Sequence, residues 1–148
     1  MNTEKINVQS PDGKHKAVIL PGLGGTLASL QLNTSEVIQF PLINSSSWRD
    51  GFPSSVLFPF PNRIDGGKYT YMNSEYHLPI NEISRGHAIH GLVAEKPFDV
   101  LLTTEHQVQL AYSLDGEEKG YPFKCELMLD YSLTNEGLEF SFRITNQE

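Results

Sequence analysis

The chain has 148 residues, enough for one hydrophobic core and small for two. An apolar fraction of 39 %, with eight Phe, six Tyr and one Trp, and a charged fraction of 20 % are those of a globular rather than a disordered chain. Eleven Lys and Arg stand against eighteen Asp and Glu, a net charge of −7 with no basic cluster, which argues against nucleic acid and anionic membranes as partners.

Residues 1–10 lack the apolar stretch of a signal peptide, and no apolar run is long enough to cross a bilayer, so the expected location is cytoplasmic. The first third reads as short alternating strands, broken by a turn at Pro11, Asp12 and Gly13 and by the stretch 21–25. Gly22, Gly24 and Gly25 are followed by no Lys-Ser/Thr pair and no helical pattern, so they read as a strand-to-strand turn rather than a phosphate loop. The glycosylation sequons at Asn33 and Asn44 matter only in a secreted chain and read as chance.

Residues 44–97 form a long stretch rich in Pro, Gly, Ser and Asn, with short strand candidates at Lys68–Tyr71 and 75–78. Long loops on a β scaffold are where binding sites usually lie. Three period-two segments follow. Val108, Leu110, Tyr112 and Leu114 share one face. Phe123, Cys125, Leu127, Leu129, Tyr131 and Leu133 share the next, and Leu138, Phe140, Phe142 and Ile144 the last. Turns at 115–120 and 135–137 make this an antiparallel meander with one buried face. Cys125, the sole cysteine, rules out an internal disulfide and reads as a buried thiol. The fold class is all-β, a sandwich or barrel, in one domain spanning 1–148.

Two clusters in the middle stretch carry chemistry: Phe58-Pro59-Phe60-Pro61-Asn62-Arg63-Ile64 and Arg85-Gly86-His87-Ala88-Ile89-His90-Gly91. Both set polar heads among apolar or aromatic walls, as a neutral sugar needs: its hydroxyls take convergent donors and acceptors, and its C–H faces stack on rings. Arg63 offers fixed donors, and an imidazole of ordinary pKa about 6.5 moves protons at neutral pH. Taken singly, Arg63 fits a surface ion pair, Asn62 a turn, and His87 and His90 structural histidines, as His15, His77 and His106 are read here. Phe52, Phe58 and Phe60 fit the core. The functional reading rests on the combination in one loop-rich region.

Taken in order, the first cluster, Gly67-Lys68-Tyr69, Tyr76 to Asn81, His87 to Leu92, Gly120-Tyr121-Pro122-Phe123 and Leu138 to Asn146 resemble the aldose 1-epimerase (galactose mutarotase-like) family over nearly the whole chain. The resemblance implies a galactose mutarotase-like β-sandwich, the supersandwich, and a reaction without cofactor or metal that interconverts α and β anomers of a monosaccharide (aldose) substrate. It assigns Asn62, Arg63 and His87 to substrate binding and His90 to catalysis at the ring oxygen. His87 falls where many relatives have Asn.

In relatives the Thr-Asn that ends the meander leads into a segment with a second active-site His, the main acid, and later a Glu that acts as base. Those positions lie beyond Glu148, and neither Glu82 nor Glu95 matches the family base. The expectation is therefore the N-terminal half of the sandwich, with a second chain or a C-terminal part covering the meander's apolar face. A noncatalytic carbohydrate-binding module is the alternative. A cupin-like metal site of His87, His90 and Glu95 is disfavoured, because histidines three apart on a strand face opposite ways.

Overall fold

The computed structural model describes residues 4–39 and 51–148. The sequon at Asn44 lies outside the described residues, and Asn33 sits in a tight turn at φ 54°. Strands β1 (Ile6–Gln9), β2 (His15–Leu20), β3 (Thr26–Leu32) and β4 (Ser35–Gln39) form one antiparallel sheet in sequence order. A hairpin of β5 (Lys68–Tyr71) and β6 (Ser74–His77) follows. Strands β7 (Asp99–Thr103), β8 (Gln107–Asp115), β9 (Lys124–Thr134) and β10 (Gly137–Asn146) form the second sheet, ordered β10-β9-β8-β7.

Alternation explains why the two sheets stack. Along β9, Cys125, Leu127, Leu129, Tyr131 and Leu133 are buried while the residues between them are partly exposed. Val8, Ala17, Ile19 and Leu30 of the first sheet meet this face and that of Val108, Leu110 and Leu114 in one core. Each Leu, Ile or Val among them stabilises the fold by about 1.5–3 kcal/mol on burial. Tyr131 pins the layers together by donating its hydroxyl to the Gly25 carbonyl at 2.7 Å, and burial drives its phenol pKa well up. His15 is a second tie between the sheets. Its Nδ1 accepts from the Asn33 N–H at 3.0 Å, which leaves Nε2 to donate to the Asn135 carbonyl at 3.1 Å.

The stretch 21–25 is the expected turn: a single 3-10 turn at Pro21–Leu23, then Gly24 at φ 64°. Gly24 is required by contact as well as by φ, because a Cβ there would lie 2.4 Å from the Ala94 carbonyl oxygen. Its N–H donates to the Lys96 carbonyl at 2.8 Å, fastening the loop before β7 to the first sheet.

Several expectations need correction. Strand β7 has no period-two signal, because Val100, Leu101 and Leu102 run consecutively on a bulged edge strand and all three are exposed. Phe123 does not continue the inward face of β9. It precedes the strand and packs against Tyr71, Tyr76 and Tyr121. The apolar faces of β8 and β9 do not wait for later strands, since β1 and β2 cover them. Along β8, β9 and β10 the large exposed apolar side chains fall on the edge strand β10, where Phe140, Phe142 and Ile144 remain 48 %, 43 % and 47 % exposed. Cys125 is buried as expected, and burial pushes its thiol pKa up, away from nucleophilic use.

Candidate functional site

The two clusters singled out in the sequence lie side by side. Ile64 and Ala88 form an isolated antiparallel bridge, with N–H to carbonyl distances of 2.8 and 3.2 Å, and Glu82 pairs with His87 in another. Asn81 extends the ladder with its side chain, accepting the Ile89 N–H at 2.7 Å and donating to the Ile89 carbonyl at 2.9 Å. A short polar amide thus does the work of a strand rung and sets the direction in which the chain enters His90.

Arg63 is held by a two-point fork. Its Nε donates to Glu82 Oε2 and its Nη2 to Glu82 Oε1, each at 2.6 Å. These bonds hold the Glu82 carboxyl below its ordinary range and raise the guanidinium further, so the pair stays charged. The fork uses one edge of the guanidinium and leaves the Nη1 edge as a donor set of fixed direction.

His90 occupies the left-handed region at φ 63°, a conformation that costs a non-glycine residue about 1–3 kcal/mol and persists only where neighbours determine it. The neighbours are identifiable. Gly91 lies so close to Phe58 that an added Cβ would come within 2.2 Å of the Phe58 carbonyl oxygen, and Leu92 donates its N–H to that oxygen at 2.7 Å. The His90 Nδ1 is 3.0 Å from the Pro61 carbonyl, so Nδ1 carries the hydrogen and Nε2 is the nitrogen left to meet a ligand. The Phe52 ring is tilted against the imidazole at 4.8 Å between centroids.

Arg63 and His90 line one cleft of about 880 Å³, together with Phe52, Phe60, Leu78 and Glu82. Phe58 is core, as read from the sequence, but Phe52 and Phe60 are half-buried walls of this cleft. His87 and Asn62 are outside its lining. The Asn62 amide oxygen accepts the Arg63 backbone N–H at 2.8 Å, the local contact of a turn. His87 Nδ1 lies 3.3 Å from both the Gly66 N–H and the Asp65 carboxylate, and the two contacts ask opposite protonation states of that nitrogen. Asp65 is fully exposed, where an ion pair contributes little, so the Gly66 bond is the one that orients the ring.

Glu82 was passed over in the sequence because nothing in the 19-residue separation from Arg63 marks it as a partner. Lys96 and Glu118, which also line the cleft, carry no motif either. Among the described residues, no three His, Cys, Asp or Glu side chains are grouped to hold a metal ion. A second hollow of about 480 Å³ lies on the outer face of the first sheet, but its described lining includes neither a ring nor a histidine.

A family model described as aldose 1-epimerase matches residues 8–148. An uncharacterised protein of Escherichia coli is 42 % identical over 92 residues, which is 62 % of this chain and 29 % of that protein. Galactose mutarotase of Rattus norvegicus is 30 % identical over 131 residues, 81 % of this chain and 37 % of the rat protein. Two solved structures share the fold. An aldose epimerase homologue from C. elegans matches with a TM-score of 0.81 at 18 % identity, over 98 % of this chain and 46 % of its own. A putative aldose 1-epimerase from Escherichia coli matches at 0.77 and 20 % identity, over 99 % and 47 %. The chain thus spans less than half the length of these relatives.

Proposed function

The chain belongs to the aldose 1-epimerase family, and from that premise we propose that its cleft binds an aldose and serves the interconversion of the sugar's α and β anomers. The observation that carries the reading is the pairing in one cleft of an arginine locked by Glu82 with a histidine held at φ 63° against Phe52. Arg63 binds sugar hydroxyls through its Nη1 edge, and the Phe52 and Phe60 rings face the C–H surface of the sugar. His90 is the catalytic residue of this chain: as the imidazolium it keeps Nδ1–H on the Pro61 carbonyl and directs Nε2–H to the ring oxygen, which takes that proton as the C–O bond breaks. Asn62 and His87 serve the site without touching the sugar, by shaping the turns that carry Arg63 and Ala88.

Anomer exchange needs a base that takes the proton from the anomeric hydroxyl and an acid that protonates the ring oxygen as the C–O bond breaks. The open aldehyde then rotates and recloses with the protons returned. His90 meets one end of that requirement. The family pattern places the main acid and the base after Ile144-Thr145-Asn146, so on this reading residues 1–148 form a single β domain whose site is completed by further mutarotase-type polypeptide, on the same chain or a separate one. That polypeptide also covers Phe140, Phe142 and Ile144. No helix among the described residues is long and apolar enough to cross a membrane, and a cytoplasmic site of action is part of the proposal.

Polarimetry of freshly dissolved α-D-galactose and α-D-glucose, with sugar binding measured in parallel, tests this. The 148-residue chain is expected to bind sugar, to lose binding in Arg63→Ala, and to accelerate mutarotation little, since acid and base groups each contribute about 10²–10⁴-fold. Binding that survives Arg63→Ala, or none in the wild type, overturns the site. Full turnover abolished by His90→Ala would mean that residues of these 148 replace the acid and base. The noncatalytic binding reading gains nothing from the family match, and full turnover would end it.

A further inference from the structure

The cleft is also lined by Lys96 and Glu118, an ion pair that the anomerisation chemistry leaves unused. Lys96 Nζ donates to Glu118 Oε1 at 2.9 Å, and the Tyr112 hydroxyl approaches the same oxygen at 3.4 Å. Among the described residues nothing donates to Oε2, and the ammonium, which also meets the Tyr112 hydroxyl, keeps a further N–H group. The side chains are 40 % and 24 % exposed, so the pair opens on the cleft and is not sealed within the core. The bond from Glu118 raises the lysine pKa, which keeps Nζ charged.

Both residues are also fixed through their backbones. Lys96 accepts the Gly24 N–H at 2.8 Å and donates to the Val93 carbonyl at 3.0 Å. Glu118 bridges Tyr121 across the turn between β8 and β9, accepting its N–H at 2.9 Å, and Tyr69 secures that turn by donating to the Gly120 carbonyl at 2.7 Å. A preplaced acceptor beside a preplaced cation suits two neighbouring sugar hydroxyls, one donating to Oε2 and the other accepting from Nζ.

We propose that Lys96 and Glu118 are substrate-binding residues that set which hydroxyl pattern the cleft accepts. The inference rests on the reading that the cleft binds an aldose. A site built to hydrogen-bond a hydroxyl rejects the analogue that lacks it, because its own polar groups are then left unpaired.

The test is calorimetric titration of the 148-residue chain with D-galactose and with each of its monodeoxy analogues, repeated for Glu118→Gln and Lys96→Met. The wild type is expected to bind one analogue at least about 10-fold more weakly than galactose. Both variants are expected to lose that discrimination while binding the same analogue as the wild type does. If galactose binds in an Arg63-dependent way but the variants keep the wild-type profile, or the wild type shows no discrimination, the assignment of Lys96 and Glu118 is overturned while the aldose reading stands. If neither galactose nor glucose binds the wild type, both fall. A pair serving only to tie two loops together would change the melting temperature of the variants and leave the profile intact.

Discussion

Replacing Glu82 with Gln keeps the side-chain shape but removes the charge that aims Arg63. We expect Glu82→Gln to weaken sugar binding several-fold with a smaller effect on the melting temperature, since the Arg63 side chain that Glu82 aims is 41 % exposed. The pH dependence has a definite sign. The folded-state pKa of Glu82 is depressed, so the pair is fully present above the ordinary carboxylate value of 4.5 and is lost as the pH falls through the lowered value. Binding should be flat through neutrality and decline only in acid, and in Glu82→Gln that acid limb should vanish. A decline centred near neutral pH, with circular dichroism unchanged, would assign the control to another group. Gly91 is the other sensitive residue. A Cβ 2.2 Å from the Phe58 carbonyl, at φ 75°, predicts that Gly91→Ala loses about 2 kcal/mol or more in urea melts and displaces His90. A stability equal to wild type would show that the 58–64 segment yields.

At the scale of elements, what the sequence revealed depended on period. Strands β8 and β9 were legible because, Met128 aside, each core-facing apolar residue alternates with a polar or smaller one against a single covered face. Strand β7 was not, because its three consecutive apolar residues lie on a bulged edge. Strand β10 shows the limit of the method from the other side: its alternation is as regular as that of β9, yet its apolar face is half-exposed, since alternation records which side is apolar and not what lies against it. The loop site divides similarly. Arg63 and His90 stand in recognisable clusters, whereas Glu82, Lys96 and Glu118 reach the cleft through bridges and turns that no local spacing encodes. His15 tests the inter-sheet contacts directly. Its two ring nitrogens join the turn after β3 to the turn after β9, so His15→Ala should leave two part-buried bonds unmade and lower stability by about 1–3 kcal/mol in denaturant titration, where His77→Ala at an exposed ion pair should cost almost nothing.

Taken as a whole, the described residues are well covered over β8 and β9 and less so along β10. The N-terminal sheet seals β8 and β9, while Phe140, Phe142 and Ile144, on the same face as Tyr131, Leu129 and Leu127, stay half-exposed along a strand whose outer edge is unpaired among the described residues. Covering the exposed part of each would contribute about 1 kcal/mol, and the edge would add a ladder of backbone bonds. Without a completing polypeptide, copies of the chain should associate through this face. Sedimentation at micromolar concentration is expected to show mass rising with concentration, and Phe140→Thr combined with Phe142→Ser should restore a monomer. A wild-type chain monomeric throughout would show that β10 tolerates water unaided. The position of that open strand also makes it a natural cutting line: the core faces of β8 and β9 on the near side are already covered by β1 and β2. A sandwich divided there can be handled as two separately encoded pieces, and sugar turnover recovered on mixing them would serve as a reassembly signal, with the aromatic residues of β10 acting as the adhesive.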